Sequence, residues 1–378
     1  MKNWSLYRLL LPLIPPGGPL RDTDLPPRRA AAAEKLLRRF RCQGATLCLF
    51  DKDGVTGHLS YGCARMNGAP AALDTVYRTA SVSKFVTALG AMKLAENHLL
   101  SLDADVNDYL PFSLRHPLAP DTPITLRMLL SHTAGVRDGD AYNAGIAAGE
   151  PLQSILAGDS FADHLPRTKW EYANLGAGIA GAVMEAAVGE DFEALMQRTV
   201  FAPLHVKATY YPQKAGETLA DAWRILPRAK APNFDAAKRQ ARPLPQPGVD
   251  AERHYALAHG NLCASAPELC KLAIAGMTPG FLKNETLQEM RKEIAPFGER
   301  AANLSQGVGT FILRDRSICP RPLYGHQGMA YGAVHGLFFD PEQERGLVLL
   351  TSAAGEARQG VLADLNAGIL RLFLGGEA

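Results

Sequence analysis

Ser81 and Lys84, in the stretch YRTASVSKFVTALGAMKL, stand three residues apart where a helical pattern begins at Val82. On a helix, positions i and i+3 share a face, so the hydroxyl and the amine can meet near the helix start. Serine alone is a weak nucleophile, and a lysine becomes a usable base only where burial or neighbours lower its pKa. The helix N-terminus also supplies backbone N–H groups and a positive dipole end, which favour an oxyanion beside Ser81. The plain alternative is a helix cap followed by a surface lysine, and this spacing by itself does not separate the two.

Two further groupings bear on that choice. WEYANLGAGIAG holds Tyr172 and Asn174, the one Y-x-N in the chain, at the start of a helix of small residues. A phenol near a lysine can shuttle a proton between nucleophile and leaving group, and an amide can hold both the lysine and a substrate carbonyl. A core tyrosine with a capping asparagine is the competing reading. YGHQGMAYGA places His326, Gln327 and Gly328 just before an apolar strand. The backbone N–H of Met329 is then a candidate second oxyanion donor, with Gly328 permitting close approach of substrate. The triplet of lysine or histidine, any residue and glycine also occurs at Lys52 and Lys214, so order and context single out the third. There is no G-x-S-x-G elbow and no H-E-x-x-H, which disfavours an α/β-hydrolase and a zinc protease.

The elements that must position these residues follow from periodicity. ATLCLF, a turn at Asp51 to Gly54, and the alternating GHLSYGC read as an antiparallel hairpin. RRAAAAEKLLRRF carries Ala33, Leu36, Leu37 and Phe40 at helical spacing, with arginines on the other, solvated face. ITLRMLLSHTAGV gives a helix ended at Gly135, and the middle of the chain is mostly helices and long loops. Residues 212–256 hold many prolines and mixed charges without a period, which reads as a loop-rich segment. AVHGLFFD, the turn PEQERG, LVLLTS and a closing helix VLADLNAGILRLFL return to sheet and cap it. Strands at both ends with helices between predict an α+β fold: one antiparallel β-sheet flanked by helices (28–80 and 305–378) and an all-helical region (81–304), with a groove between them.

Bulk numbers exclude several classes. With 378 residues, 47% hydrophobic and 21% charged, the chain is globular, and its formal charge of +2 argues against nucleic acid or a polybasic membrane surface as the main partner. The N-terminal apolar run is broken by Arg8 and ended by Pro15-Pro16, without a small-residue cleavage signal. No membrane partner is expected, and the oligomeric state is open. Six cysteines without C-x-x-C spacing read as structural thiols in a reducing compartment, hence a cytoplasmic expectation. No metal and no cofactor are called for.

Taken in order, Ser81-x-x-Lys84, Tyr172-x-Asn174 and His326-x-Gly328 resemble the three motifs of the class C β-lactamase and penicillin-binding-protein-like serine hydrolases, a family that includes esterases and D-amino-acid peptidases. ITLRMLLSHTAGV and HGNLCASAPELCKLA are similar to the family's segments as well, so the resemblance covers roughly residues 43 to 375. It implies a cleft between a helix-covered antiparallel sheet and an all-helical region. It implies further that Ser81 is the acylated nucleophile and that Lys84 and Tyr172 share general-base and general-acid duty, in an order left open. Asn174 would position substrate and Lys84, the N–H groups of Ser81 and Met329 would form the oxyanion hole, and His132 would order a loop. Trp170 is either a cleft wall or a core aromatic. The departure is His326, where β-lactamases and D-Ala-D-Ala carboxypeptidases of this family carry lysine. A histidine near its usual pKa is mostly neutral at pH 7, so carboxylate-directed selectivity is expected to weaken, favouring small ester or amide substrates over lactams. A transacylase using the same acyl-enzyme, and a non-catalytic binder, are the alternatives from other classes.

Overall fold

The computed structural model describes residues 4–156, 158–226, 248–298, 301 and 303–376. Part of the loop-rich segment expected over 212–256 therefore lies outside the described residues. The sheet has nine strands: β1 (Leu20–Thr23), β2 (Gly44–Asp51), β3 (Gly54–Gly62), β4 (Ala295–Pro296), β5 (Leu304–Gln306), β6 (Phe311–Leu313), β7 (Leu323–Ala330), β8 (Ala333–Asp340) and β9 (Arg345–Ala353). Their spatial order is β1-β3-β2-β9-β8-β7-β6-β5-β4, and every neighbouring pair is antiparallel. The β2–β3 and β8–β9 hairpins form where alternation and turn residues place them, and β2 pairs with β9, joining the two ends of the chain. The sheet also takes β1 and β4, which lie outside the ranges that periodicity gives it. Two residues of β4 and three each of β5 and β6 are too short to show a period.

Helices cover both faces. α1 spans Trp4–Leu10, α2 Pro27–Arg39, α3 Val82–Glu96, α4 Leu126–Leu130, α5 Asn174–Val188, α6 Ala266–Met277 and α7 Asp364–Phe373. Side chains alternate across a strand, so Val334 and Phe338 of β8 join Leu347 and Leu349 of β9 in a core beneath α2 and α7, while Leu337, Phe339, Val348 and Leu350 face the larger core built on α3 and α6. With both faces covered, all eight residues of β8 are buried. α3 is apolar nearly all round and runs through the centre of the larger core. Its first turn, starting at Ser81, comes to lie against β7, and α5 and the short α4 pack beside it. Sheet strand, central helix and flanking helices thus meet at one place. All six cysteines are free, and five are buried. No helix among the described residues is long and apolar enough to cross a membrane.

Candidate active site

Ser81 caps α3 in right-handed helical backbone, and the residue before it, Ala80, holds φ at +49°, a strained value for a side chain with a Cβ. Local bonds impose this turn. The Ser83 hydroxyl donates to the Ala80 carbonyl at 2.6 Å and accepts from the Leu262 N–H at 3.2 Å, while the Thr79 N–H donates to the Leu262 carbonyl at 2.8 Å. Ser81 remains partly exposed at the end of an otherwise buried helix.

Lys84 is buried one turn on, its Nζ 3.3 Å from Ser81 Oγ, 2.7 Å from Asn174 Oδ1 and 2.7 Å from the carbonyl of His259. Asp138 fixes which end of the Asn174 amide faces the lysine, because its carboxylate accepts from Asn174 Nδ2 at 2.7 Å and from the Leu175 N–H at 2.9 Å. Two of the three acceptors around Nζ are carbonyl oxygens that can only accept. An unprotonated amine therefore spends its two N–H bonds on them and turns its lone pair to Ser81. Burial pulls the Lys84 pKa down to about 7; Asp138 opposes that shift and the Arg78 guanidinium adds to it. The Tyr172 ring, 5.0 Å from Nζ, favours the ammonium form, as does Asp138, and burial outweighs both.

Tyr172 precedes α5, its phenol hydrogen-bonded to Ser81, and burial pushes its pKa well above the ordinary tyrosine value. It is therefore a neutral phenol at pH 7, chemically able to donate a hydrogen bond and to relay a proton. His132 holds it in place: His132 Nδ1 accepts from the Ala173 N–H at 3.2 Å, its carbonyl accepts from the Glu171 N–H at 2.9 Å, and its ring lies 4.5 Å from that of Tyr172. Burial and the nearby Lys84 charge keep His132 far below the usual histidine pKa. Trp170 is half-buried and stacks on Phe297 at 3.8 Å, in a run of rings that continues through Phe311 to His326.

His326 on β7 is buried against Phe311, with ring centroids 4.0 Å apart. Its Nδ1 lies 2.6 Å from the Gln327 carbonyl, so Nδ1 carries the proton and Nε2 presents a lone pair. Burial, then the Lys84 charge, lowers its pKa to about 3, leaving a neutral ring where a lysine would be a cation.

Gly328, expected to let substrate approach, also lies against the chain itself. A Cβ there would sit 2.3 Å from the Thr79 carbonyl oxygen and 3.2 Å from the Ser81 nitrogen, so what comes close is the chain's own backbone. The strand and the Ser81 turn touch, which brings the peptides of Ser81 and Met329 to the same end of the site. Gly328→Ala is expected to displace that turn and lower kcat/KM for an ester by about 100-fold. Thermal melting checks that the variant still folds, and an unchanged kcat/KM would contradict the assignment.

The structure thus brings Ser81, Lys84, Tyr172, Asn174, His326, Gly328 and Met329 together. Sequence reasoning missed three supporting residues. Asp138 locks the Asn174 amide; Tyr142, whose hydroxyl lies 3.0 Å from His259 Nε2, anchors the loop whose carbonyl holds Lys84; Arg78 donates to the Gly260 carbonyl at 2.8 Å and lies 5.1 Å from the Tyr331 ring. Among the described residues, no group of histidine, cysteine and carboxylate side chains is arranged to hold a metal.

Fold and site together are those of a serine hydrolase of the β-lactamase-like class. Residues 30–370 match the beta-lactamase family model, and the chain belongs to that family. It is 26% identical to esterase EstB of Burkholderia gladioli, over 90% of this chain and 93% of that one. It is also 30% identical to the lovastatin esterase of Penicillium rubens, over 46% of this chain and 50% of that one. Among solved structures, EstCE1, described as a hydrolase with promiscuous acyltransferase activity, superposes with a TM-score of 0.73 at 23% identity, over 92% of this chain and 98% of that one. The D-amino acid amidase of Ochrobactrum anthropi bound to D-phenylalanine superposes with a TM-score of 0.69 at 22% identity, over 91% and 96%.

Proposed function

We propose that this serine hydrolase cleaves esters, and more slowly amides, of small uncharged acyl substrates through an acyl-Ser81 intermediate. The observation that carries the reading is Lys84 Nζ held by two obligate acceptors with its remaining direction toward Ser81 Oγ. The Lys84 amine takes the Ser81 proton as Oγ attacks the acyl carbon. The carbonyl oxygen becomes an oxyanion beside the N–H groups of Ser81 and Met329. When the tetrahedral centre collapses, the bond to the leaving group breaks and that proton passes through the Tyr172 phenol to the departing alkoxide or amine. Water then attacks the acyl carbon, gives a proton to the same relay, and Ser81 leaves with its hydroxyl restored.

Substrate class rests on His326. A neutral ring offers no charge to a carboxylate, and its acceptor lone pair opposes one, so substrates bearing the carboxylate typical of penicillins lose an anchor there. The likeness to two esterases supports this choice. A transacylase reading shares every residue and is supported by the likeness to EstCE1. A substrate panel tests the proposal: short acyl esters, D-amino-acid amides and a chromogenic cephalosporin, each with and without an added alcohol acceptor. Esters are expected to react at least about 100-fold faster than the cephalosporin, the size of about 3 kcal/mol in transition-state binding. Cephalosporin turnover exceeding ester turnover would contradict it, and acyl transfer to the alcohol outrunning hydrolysis would favour the transacylase.

A further inference from the structure

The N-terminal helix α1 and the turn that follows it carry an outward ridge of leucines. Tyr7 and Leu11 are buried against Ile225, Ala353 and Ala357, and the Tyr7 hydroxyl accepts from the Glu356 N–H at 3.0 Å, which fixes the segment to the body of the protein. With that side held, Leu6, Leu9, Leu10 and Leu13, at i, i+3, i+4 and i+7, face solvent at 51%, 73%, 38% and 76% exposure. Single exposed leucines are ordinary, but four in register on one face are a patch, and patches of this kind mark contact surfaces.

The flank of the ridge is cationic. Arg8 lies beside it, paired with Asp364 at 2.8 Å; Arg41 donates to the Pro12 carbonyl at 3.1 Å; and the Arg358 guanidinium sits 5.6 Å from the Trp4 ring. This local excess stands out on a chain whose total charge is only +2. Two occupants fit an apolar stripe, and charge decides between them. A two-fold contact between antiparallel ridges would set these arginines against their own equivalents, whereas an anionic lipid surface accepts leucines at the acyl boundary and arginines at the phosphates.

We propose that the leucine ridge of residues 6–13 seats this hydrolase reversibly on anionic membrane surfaces. Charge patterning along the chain gave no membrane partner; the ridge revises that expectation for surface contact, while the absence of a spanning helix among the described residues stands. A segment this short binds weakly and depends on both apolar contact and charge.

The test is co-flotation of the full chain with vesicles of phosphatidylcholine alone, or with phosphatidylglycerol added, for the wild type, the double variant Leu9→Ser with Leu13→Ser, and Arg41→Gln. Expected are binding to the phosphatidylglycerol vesicles at least about tenfold above phosphatidylcholine, loss of about tenfold in the leucine variant, and a smaller, salt-sensitive loss in Arg41→Gln. Hydrolysis of a soluble ester stays unchanged in all three, because none of these residues touches the site. Equal flotation of wild type and leucine variant overturns the proposal. So does a concentration-dependent dimer that the leucine variant abolishes without any vesicle binding, which would assign the ridge to a second copy.

Discussion

Replacing Ser81 with alanine is expected to lower ester kcat/KM by a factor on the order of 10⁴ or more, with the fold intact. Ser81 is the partly exposed hydroxyl at the junction of Lys84, Tyr172 and the β7 backbone, and no neighbouring serine takes its place. Ser83, two residues on, is buried and spends its hydroxyl on the Ala80 carbonyl. Removing a nucleophile leaves only the contribution of oxyanion donors and binding, which accounts for the size of the loss. Because Ser81 supplies no side-chain cap to α3, the alanine variant should melt within about 0.5 kcal/mol of the wild type, the range of a substitution that disturbs no packing. Steady-state kinetics and thermal melting measure the two halves of this statement. Retained turnover, or lost folding, would each contradict it.

Lys84→Met carries the second large effect, on both rate and pH dependence. Ester turnover is expected to fall by about 10³-fold, since Ser81 then has only a high-pKa phenol beside it. In the wild type the lysine must be unprotonated to accept the proton, so kcat/KM should rise with pH through about 7 and level off above it. The stability consequence has a fixed sign. The folded pKa of about 7 lies below the ordinary lysine value of 10.5, so between those limits the unfolded chain binds more protons and stability rises with pH. That contribution is present in full above about 10.5 and is lost as pH falls toward 7. Methionine has no such slope, so the variant should gain on the wild type by up to ~4 kcal/mol between pH 10 and pH 6. Removing the amine also leaves the Asn174 and His259 oxygens without their donor, a cost that offsets the gain at every pH. The change in melting difference between the two pH values is therefore the quantity to measure. A pH-independent difference would mean that Lys84 is an ordinary cation in the folded protein.

Much of this was written in local pattern. The β2–β3 and β8–β9 hairpins carry period-two alternation with turn residues between, so both strands and pairing could be read. Ser81 and Lys84 are legible because the chemistry needs a hydroxyl and an amine at helical spacing, and Tyr172 and Asn174 because a phenol and an amide serve the same proton transfer. Residues acting through the backbone leave no such mark: the His259 carbonyl that holds Lys84 belongs to a residue of any type, and Asp138 is one of 38 acidic side chains until the fold puts it beside Asn174. The contact of Gly328 with the Thr79 carbonyl is not legible in the sequence either, since it depends on how β7 meets α3. The leucine ridge was in view as an apolar run broken by Arg8, but a helix with one face held and one face bare is a tertiary fact.

The proposed mechanism requires a covalent acyl group on Ser81. Brief exposure of the wild type to an activated acyl ester, followed by acid quench, intact mass and peptide mapping, tests it directly. One acyl group is expected, on the peptide containing Ser81, and none on Ser81→Ala. An adduct on Tyr172 or Lys84, or ester turnover by Ser81→Ala at the wild-type rate, would contradict it.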